Sequence, residues 1–402
     1  MKRKIFTLLL ALIVALPALA KKEITDIEHN YRRISLCSML VRHSEDKFAN
    51  EIEEQFLEIP ISEQYNDHNL SVRVVEVKSK GKYTPDISTF IDRNNVASRL
   101  VGKWFDRNIL TGECSLDLIK ERGLYDASAF DIEMAKRSAR GMAMLQDAGE
   151  DLIGRTYLLV NEITYIDKAK RSKAWGAALN GLLQIAGSFT GVDMSDVGNS
   201  LESMISSIKG FRVKINTRLY RLEWNEESQM YFYQNCYSDK ADSKKLSTFE
   251  DNRNRFRLVY VGNVLSSGNA TSFLGINEDQ PNLMIRKACQ RAIDENVADL
   301  QKNYDEFRIK TPIVSVEPTI TAKIGLKEGI TKDSRFEVLE AQEKDGRTIY
   351  KRVGVVKPIP TKIWDNRFMA TEEGAYGADF GATTFVKESG GDLYPGLLLR
   401  QI

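Results

Sequence analysis

Residues 155–166 read RTYLLVNEITYI, and residues 211–224 read FRVKINTRLYRLEW. The first stretch is dominated by Tyr157, Leu158, Leu159, Val160, Ile163 and Tyr165, the residue types that favour strands. The second alternates Val213, Ile215, Thr217 and Leu219 with Arg212, Lys214, Asn216 and Arg218, the period-two pattern of a long strand. Its phase shifts near Tyr220 and resumes at Leu222 and Trp224, which predicts a bulge.

Helices and further strands flank this pair. Upstream, Ile34 to Val41 reads as a strand, Phe48 to Phe56 as a short acidic helix and Leu70 to Val77 as a β-branched strand. Asn95 is placed to cap a helix whose Val96, Leu100, Trp104 and Phe105 share one face. Ser128-Ala-Phe-Asp131 has capping-box form and opens a helix through Ile132, Ala135, Ala139 and Met142. Downstream, Asn225-Glu-Glu-Ser228 reads as a turn, Met230 to Tyr237 as a hairpin strand and Phe256 to Val261 as another strand. From about Leu283 to Phe307 a long helix carries Ile285, Cys289, Ala292, Asn296, Leu300, Tyr304 and Phe307 on one face. Its wet side holds Arg286, Arg291, Glu295, Asp299 and Lys302. Strands alternating with helices predict an α/β (α+β) domain over residues 70–311, a mixed sheet layered with helices, after an N-terminal segment at 21–69.

Residues 312–318, Pro312 to Pro318, read as a linker. Beyond it, at 319–402, short strands recur at Ile320–Ile324, Phe336–Ala341, Ile349–Val356, Thr383–Lys387 and Leu397–Arg400, with a Lys344-Asp345-Gly346 hairpin turn. Five short strands with few helices predict a small C-terminal β-barrel or sandwich.

Between the two deciding strands lies an insertion, residues 172–210. Ala174 to Val192 is uncharged and rich in Gly, Ala and Leu; a second helical pattern follows through Val197, Leu201, Met204 and Ile208. A helix apolar all round is buried in a core, in a partner or in a bilayer. Gly187-x-x-x-Gly191 has the spacing that lets helices approach closely. Trp175, Leu179, Leu182, Leu183, Gly187, Phe189 and Gly191 are therefore the candidate interface, for self-association or for another envelope protein. Asn180 and Gln184 and the short length of the arm argue against membrane contact.

The N-terminus reads as a secretory signal peptide, residues 1–20. Lys2, Arg3 and Lys4 precede the apolar run Ile5–Leu16, and Ala18-Leu19-Ala20 supplies a cleavage site, so the mature chain is expected to begin near Lys21 outside the cytoplasm. The first cysteine is Cys37, so no lipobox follows the apolar run and no lipid anchor is expected. Removing three of the 57 basic residues leaves them two short of the 56 acidic ones, a balance that argues against nucleic acid as a partner. Cys37, Cys114, Cys236 and Cys289 include no Cys-x-x-Cys pair and are read mostly as buried thiols.

Chemistry is harder to find. His29, His43 and His68 are the only histidines, and their spacing with Cys37 matches no regular metal-ligand pattern. Gly176 to Gly181 has phosphate-loop spacing without the following Lys-Ser/Thr, so no cofactor is expected. No Gly-x-Ser-x-Gly or His-Glu-x-x-His occurs. Glu23, Glu162 and Glu223 are candidates for the acid pair a glycosidase needs, and no feature of the sequence selects a pair. Trp104, Trp175, Trp224 and Trp364 read mainly as core, and Lys214, Arg218 and Arg221 as the wet face of a strand.

Tyr157-Leu-Leu-Val-Asn-Glu-Ile163 followed, after an insertion, by Val213-Lys-Ile-Asn-Thr-Arg-Leu-Tyr220 resembles the core of a group of bacterial envelope domains: the curli secretion channel lipoprotein and the N-terminal domain of the Tol-Pal translocation protein B. Ala322-Lys-Ile-Gly325, Lys327-Glu-Gly329, Phe336-Glu-Val338 and Val353-Gly-Val355 are similar to the small β domain that ends flagellar assembly protein T. The resemblance spans about residues 70–262 and 319–402. It implies binding, scaffolding or assembly in the envelope rather than catalysis. The chain departs from the curli channel in lacking a lipobox and in a helical rather than strand-like insertion, which argues against a pore. An exported hydrolase using paired carboxylates is the alternative.

Overall fold

The computed structural model describes residues 34–62, 64–77, 87–126, 150, 152–166, 210–271, 281–308, 310–344 and 347–402. The strands and helices, in chain order, are β1 (Ser35–His43), α1 (Ala49–Glu58), β2 (Asn66–Asp67), β3 (Val74–Val77), α2 (Ile87–Arg93), α3 (Val96–Trp104), α4 (Asp117–Asp126), β4 (Thr156–Tyr165), β5 (Gly210–Leu222), α5 (Glu226–Asn235), α6 (Ser243–Asp251), β6 (Leu258–Thr271) and α7 (Pro281–Asn303). The barrel strands follow: β7 (Thr311–Ser315), β8 (Ile320–Ala322), β9 (Phe336–Lys344), β10 (Arg347–Pro358), β11 (Thr383–Gly390) and β12 (Leu398–Gln401).

A six-stranded mixed sheet runs in the order β2-β1-β4-β5-β6, with β3 also paired to β1. β1 is parallel to β2, β3 and β4, whereas β4, β5 and β6 are successively antiparallel. The β5–β6 register does shift between Leu219 and Tyr220, but the extra residue is Val261 of β6, and β5 itself keeps its alternation. Alternation explains why β4 looks continuously apolar. Leu158 and Val160 pack with α2, α3 and the aromatic side chains of α5 on one face, whereas Tyr157, Leu159 and Ile163 face α1 and α7 on the other. The sheet is thus covered on both sides.

α7 carries the stripe read from the sequence. Ile285, Cys289, Ala292 and Leu300 are all buried. Its close seat on β6 depends on Gly268, where a Cβ would overlap the Ala288 carbonyl. On the opposite face, the sheet, α3 and α4 meet around Arg122. Its guanidinium lies over the Trp104 ring at 4.4 Å and donates to Ser35 Oγ at 2.9 Å, to His68 Nδ1 at 2.9 Å and to the Asp67 carbonyl. His68 Nε2 donates in turn to the Leu100 carbonyl at 2.9 Å. Burial first, and Arg122 second, hold the His68 pKa well below the ordinary imidazole value, so the ring stays neutral and both nitrogens are used.

β7 to β12 close into a barrel in the order β10-β11-β8-β7-β12-β9, filled by Ile313, Val338, Val356, Phe385 and Leu399 among others. The Lys344↔Arg347 pairing fits the expected two-residue hairpin, whose Asp345 and Gly346 lie outside the described residues.

Several expectations are corrected. Residues 312–318 are not a linker, because Thr311–Ser315 is a barrel strand paired with β8 and β12. Met230–Tyr237 is not a hairpin strand: it falls largely in α5, opened by Asn225, whose side chain accepts from the Ser228 amide. Asn95 precedes α3 in a left-handed conformation without a side-chain cap. The strand expected from Leu70 begins at Val74. The helix expected at 128–148 lies outside the described residues.

Candidate functional site

On the α1/α7 face of the sheet an apolar surface is interrupted by polar residues. Ser38 of β1, Asn161 of β4 and Thr217 of β5 form a buried row. Asn161 Nδ2 donates to Ser38 Oγ at 2.9 Å and to the Met39 carbonyl at 3.0 Å, and Thr217 Oγ1 donates to Asn161 Oδ1 at 2.7 Å. The row continues at Ser266 of β6, which donates to the Ala292 carbonyl at 2.8 Å and accepts from Asn296 of α7 at 3.3 Å. Each of these bonds satisfies a polar group that would otherwise be costly to bury.

Above Ser38 and Asn161 lies a cleft of about 290 Å³. Phe56 of α1 and the following Ile59-Pro60-Ile61 form one wall. Arg286, Gln290, Ile293, Asp294 and Val297 of α7 form the other, and the barrel contributes Lys327, Asn366 and Phe368. Apolar walls with a few convergent polar groups are the usual make-up of a small-molecule site.

The barrel is held over α7 by polar contacts. Glu373 pairs with both Lys287 and Arg291, and Arg291 also donates to the Phe368 carbonyl at 3.2 Å. Glu328 accepts from the Gly325 amide and from Asn366 Nδ2, each at 2.7 Å, and from Gln64 at 3.1 Å. Gly329 adopts a positive φ of 73° against Ala298 of α7, a conformation and a closeness that suit glycine.

Asp294 is the distinctive group of the cleft. It is 6% exposed; one carboxylate oxygen accepts from Gln290 Nε2 at 3.0 Å, and Oδ2 has no hydrogen-bond partner. Burial pushes its pKa up to about 6, against the opposing pull of Lys327, Gln290 and Arg291; Glu328 adds to the rise. Asp294 is therefore largely ionised at neutral pH with one acceptor unused.

The residues singled out from sequence are dispersed. Glu162 is hydrogen-bonded to His43 at 2.9 Å and ion-paired with Arg218 at 3.6 Å, away from the cleft lining. Trp104 is a core residue donating to Thr156 Oγ1, and Trp224 packs on Phe105 and Phe232. Trp364 donates to the Ala378 carbonyl within the barrel loops. All four cysteines are free and buried, as expected; burial pushes Cys37 up to about 11 and Cys289 up to about 12, so neither is a ready thiolate. Trp175, Leu179, Leu182, Leu183, Gly187, Phe189 and Gly191 lie outside the described residues, as do Glu23 and His29. Sequence reasoning missed Asp294. The available signal was Asn296, a polar residue on the apolar stripe of α7 two positions away, together with Asn161 inside β4. Among the described residues no helix is long and apolar enough to cross a membrane. No protein-family model and no curated protein matches the chain.

Proposed function

We propose that the chain is an exported, non-catalytic binding protein of the bacterial envelope that holds a small polar ligand in the cleft between sheet, α7 and barrel. The observation that carries this reading is Asp294: a buried carboxylate with an unused oxygen, set in a cleft with apolar walls. A stable fold gains nothing from such a group, whereas a ligand donor that draws the carboxylate toward the cleft would satisfy it. Charge narrows the ligand class. Asp294 on α7 and Lys327 on the barrel present opposite charges to one cavity, which suits a zwitterion. A volume of about 290 Å³ fits an amino acid or a dipeptide. Such a ligand would tie the barrel to the sheet domain, a role in keeping with the resemblance to envelope binding and assembly domains. The rival hydrolase needs two facing acids, and the described lining of the cleft offers Asp294 alone as a carboxylate.

Calorimetric titration of the mature chain with amino acids, dipeptides and neutral sugars tests this. Saturable binding of a zwitterion, weakened at least tenfold in Asp294→Asn, is the expected result. Zwitterion binding unchanged by Asp294→Asn would remove the cleft from consideration. Hydrolysis of any panel member would overturn the non-catalytic reading.

A further inference from the structure

The charges that line the cleft do not cancel. The described lining holds one carboxylate, Asp294, and two cations, Arg286 of α7 and Lys327 of the barrel. Lys327 lies near enough to oppose the effect of burial on Asp294, yet Asp294 Oδ2 stays without a partner. The Lys327 ammonium has no ion-pair or hydrogen-bond partner among the described residues, while its amide donates to Asn366 Oδ1 at 2.8 Å. Arg286 is engaged on one side only. Its Nη1 donates to Glu58, outside the lining, at 2.9 Å, and its guanidinium lies 5.6 Å from the Phe368 ring. Its Nε is buried without a partner, and Nη2 makes no hydrogen bond among the described residues. The Nε–Nη2 edge is the fork that holds a carboxylate by two parallel hydrogen bonds.

Resting on the zwitterion reading above, we infer that the ligand is an α-amino acid with a second, distal carboxylate, of glutamate type. Its ammonium draws Asp294 toward the cleft, its α-carboxylate meets Lys327, and its distal carboxylate takes the free edge of Arg286. A ligand with one positive and two negative groups answers a lining with one negative and two positive ones. Spacing selects the length. Arg286 precedes Asp294 by eight residues on α7, about 12 Å at the rise of an α-helix. A hydrogen bond of about 3 Å at each end leaves about 6 Å for the ligand. An extended chain advances about 3.8 Å over three bonds, so this gap asks for about five bonds. Glutamate has that number between its amine and a distal oxygen, and aspartate has one fewer. Ile293, with Phe56 and Ile59 on the other wall, supplies apolar surface for the methylenes. A neutral end in place of the distal carboxylate would leave the Arg286 edge unpaired, which is how a site built for a polar group rejects a near-isostere.

Calorimetric titration of the mature chain with glutamate, glutamine and aspartate reads the outcome. Glutamate is expected to bind about tenfold or more tighter than glutamine, which has the same length and a neutral end, and tighter than aspartate. Arg286→Gln should bring the glutamate-to-glutamine ratio close to one. Lys327→Gln should weaken both ligands and keep the ratio, because the α-carboxylate is common to them. A ratio near one in the wild type, a ratio that survives Arg286→Gln, or aspartate binding as tightly as glutamate would overturn the inference and leave the zwitterion reading standing. Failure of all three amino acids to bind would overturn both. If Arg286→Gln fails to fold, the wild-type ratio decides alone.

Discussion

Replacing Asp294 with asparagine should stabilise the protein at neutral pH while weakening ligand binding. Burial raises the pKa of this carboxyl from 3.8 to about 6, and the group is only 6% exposed, so solvent screens little of the effect. A rise of about 2 units, at about 1.4 kcal/mol per unit, corresponds to about 3 kcal/mol. The sign follows from which state holds the proton. Below pH 3.8 the carboxyl is protonated in both states and its ionisation costs nothing. Between 3.8 and about 6 the unfolded chain ionises first, so stability falls as pH rises. Above about 6 the full penalty of about 3 kcal/mol applies. Asparagine does not titrate, so its advantage over wild type should be about 0.5 kcal/mol at pH 4 and about 3 kcal/mol at pH 7.5. Urea unfolding of both proteins, followed by circular dichroism at several pH values between 4 and 8, measures the difference. An advantage that does not change with pH, or a wild type more stable than Asp294→Asn at pH 7.5, would refute the reasoning. A stabilising change at a binding group is what a site retained for function predicts.

Three other outcomes are expected. Leu300→Asp places an unpaired charge where the wild-type side chain is wholly buried and should cost several kcal/mol, read by urea unfolding. Gly268→Val drives a side chain into the Ala288 carbonyl and should lift α7 from β6, seen as faster hydrogen exchange along both elements, whereas Gly262→Ala meets the hydroxyl end of the Tyr304 side chain rather than backbone and should be milder. N-terminal sequencing of protein from the native host should return Lys21, within a residue or two; Met1 or a lipid-modified Cys37 would refute the reading of the leader.

Much of the layered fold was legible because local pattern and tertiary burial agree. The alternation in β5 became a strand, although the bulge expected at Tyr220 lies opposite it, at Val261 of β6. The stripe through Cys289 and Leu300 became the buried face of α7. All five strands expected in the C-terminal part are present in the barrel. The misreadings have identifiable causes. Met230, Tyr231, Phe232 and Tyr233 favour a strand by residue type, but the Asn225 cap starts a helix that buries Phe232 against Phe105 and Phe256. Pro312 suggested a linker, yet it sits second in a five-residue strand, near an end where a missing amide costs least.

The sequence by itself determined most element types and the apolar faces, because each of these depends on neighbours within a few residues along the chain. It also contained the uncharged run of β6, but not the fact that this run pairs with β5 at the end of the described strand order. The cleft was decided by tertiary structure alone. Asp294 lies beside the wet-side residues Arg291 and Glu295, and on an isolated helix it would be solvated and ordinary. Docking of Lys327, Asn366 and Phe368 beside α7 takes its carboxylate out of water, and that desolvation, between residues more than thirty positions apart, raises its pKa and makes it the feature around which a ligand site can be argued.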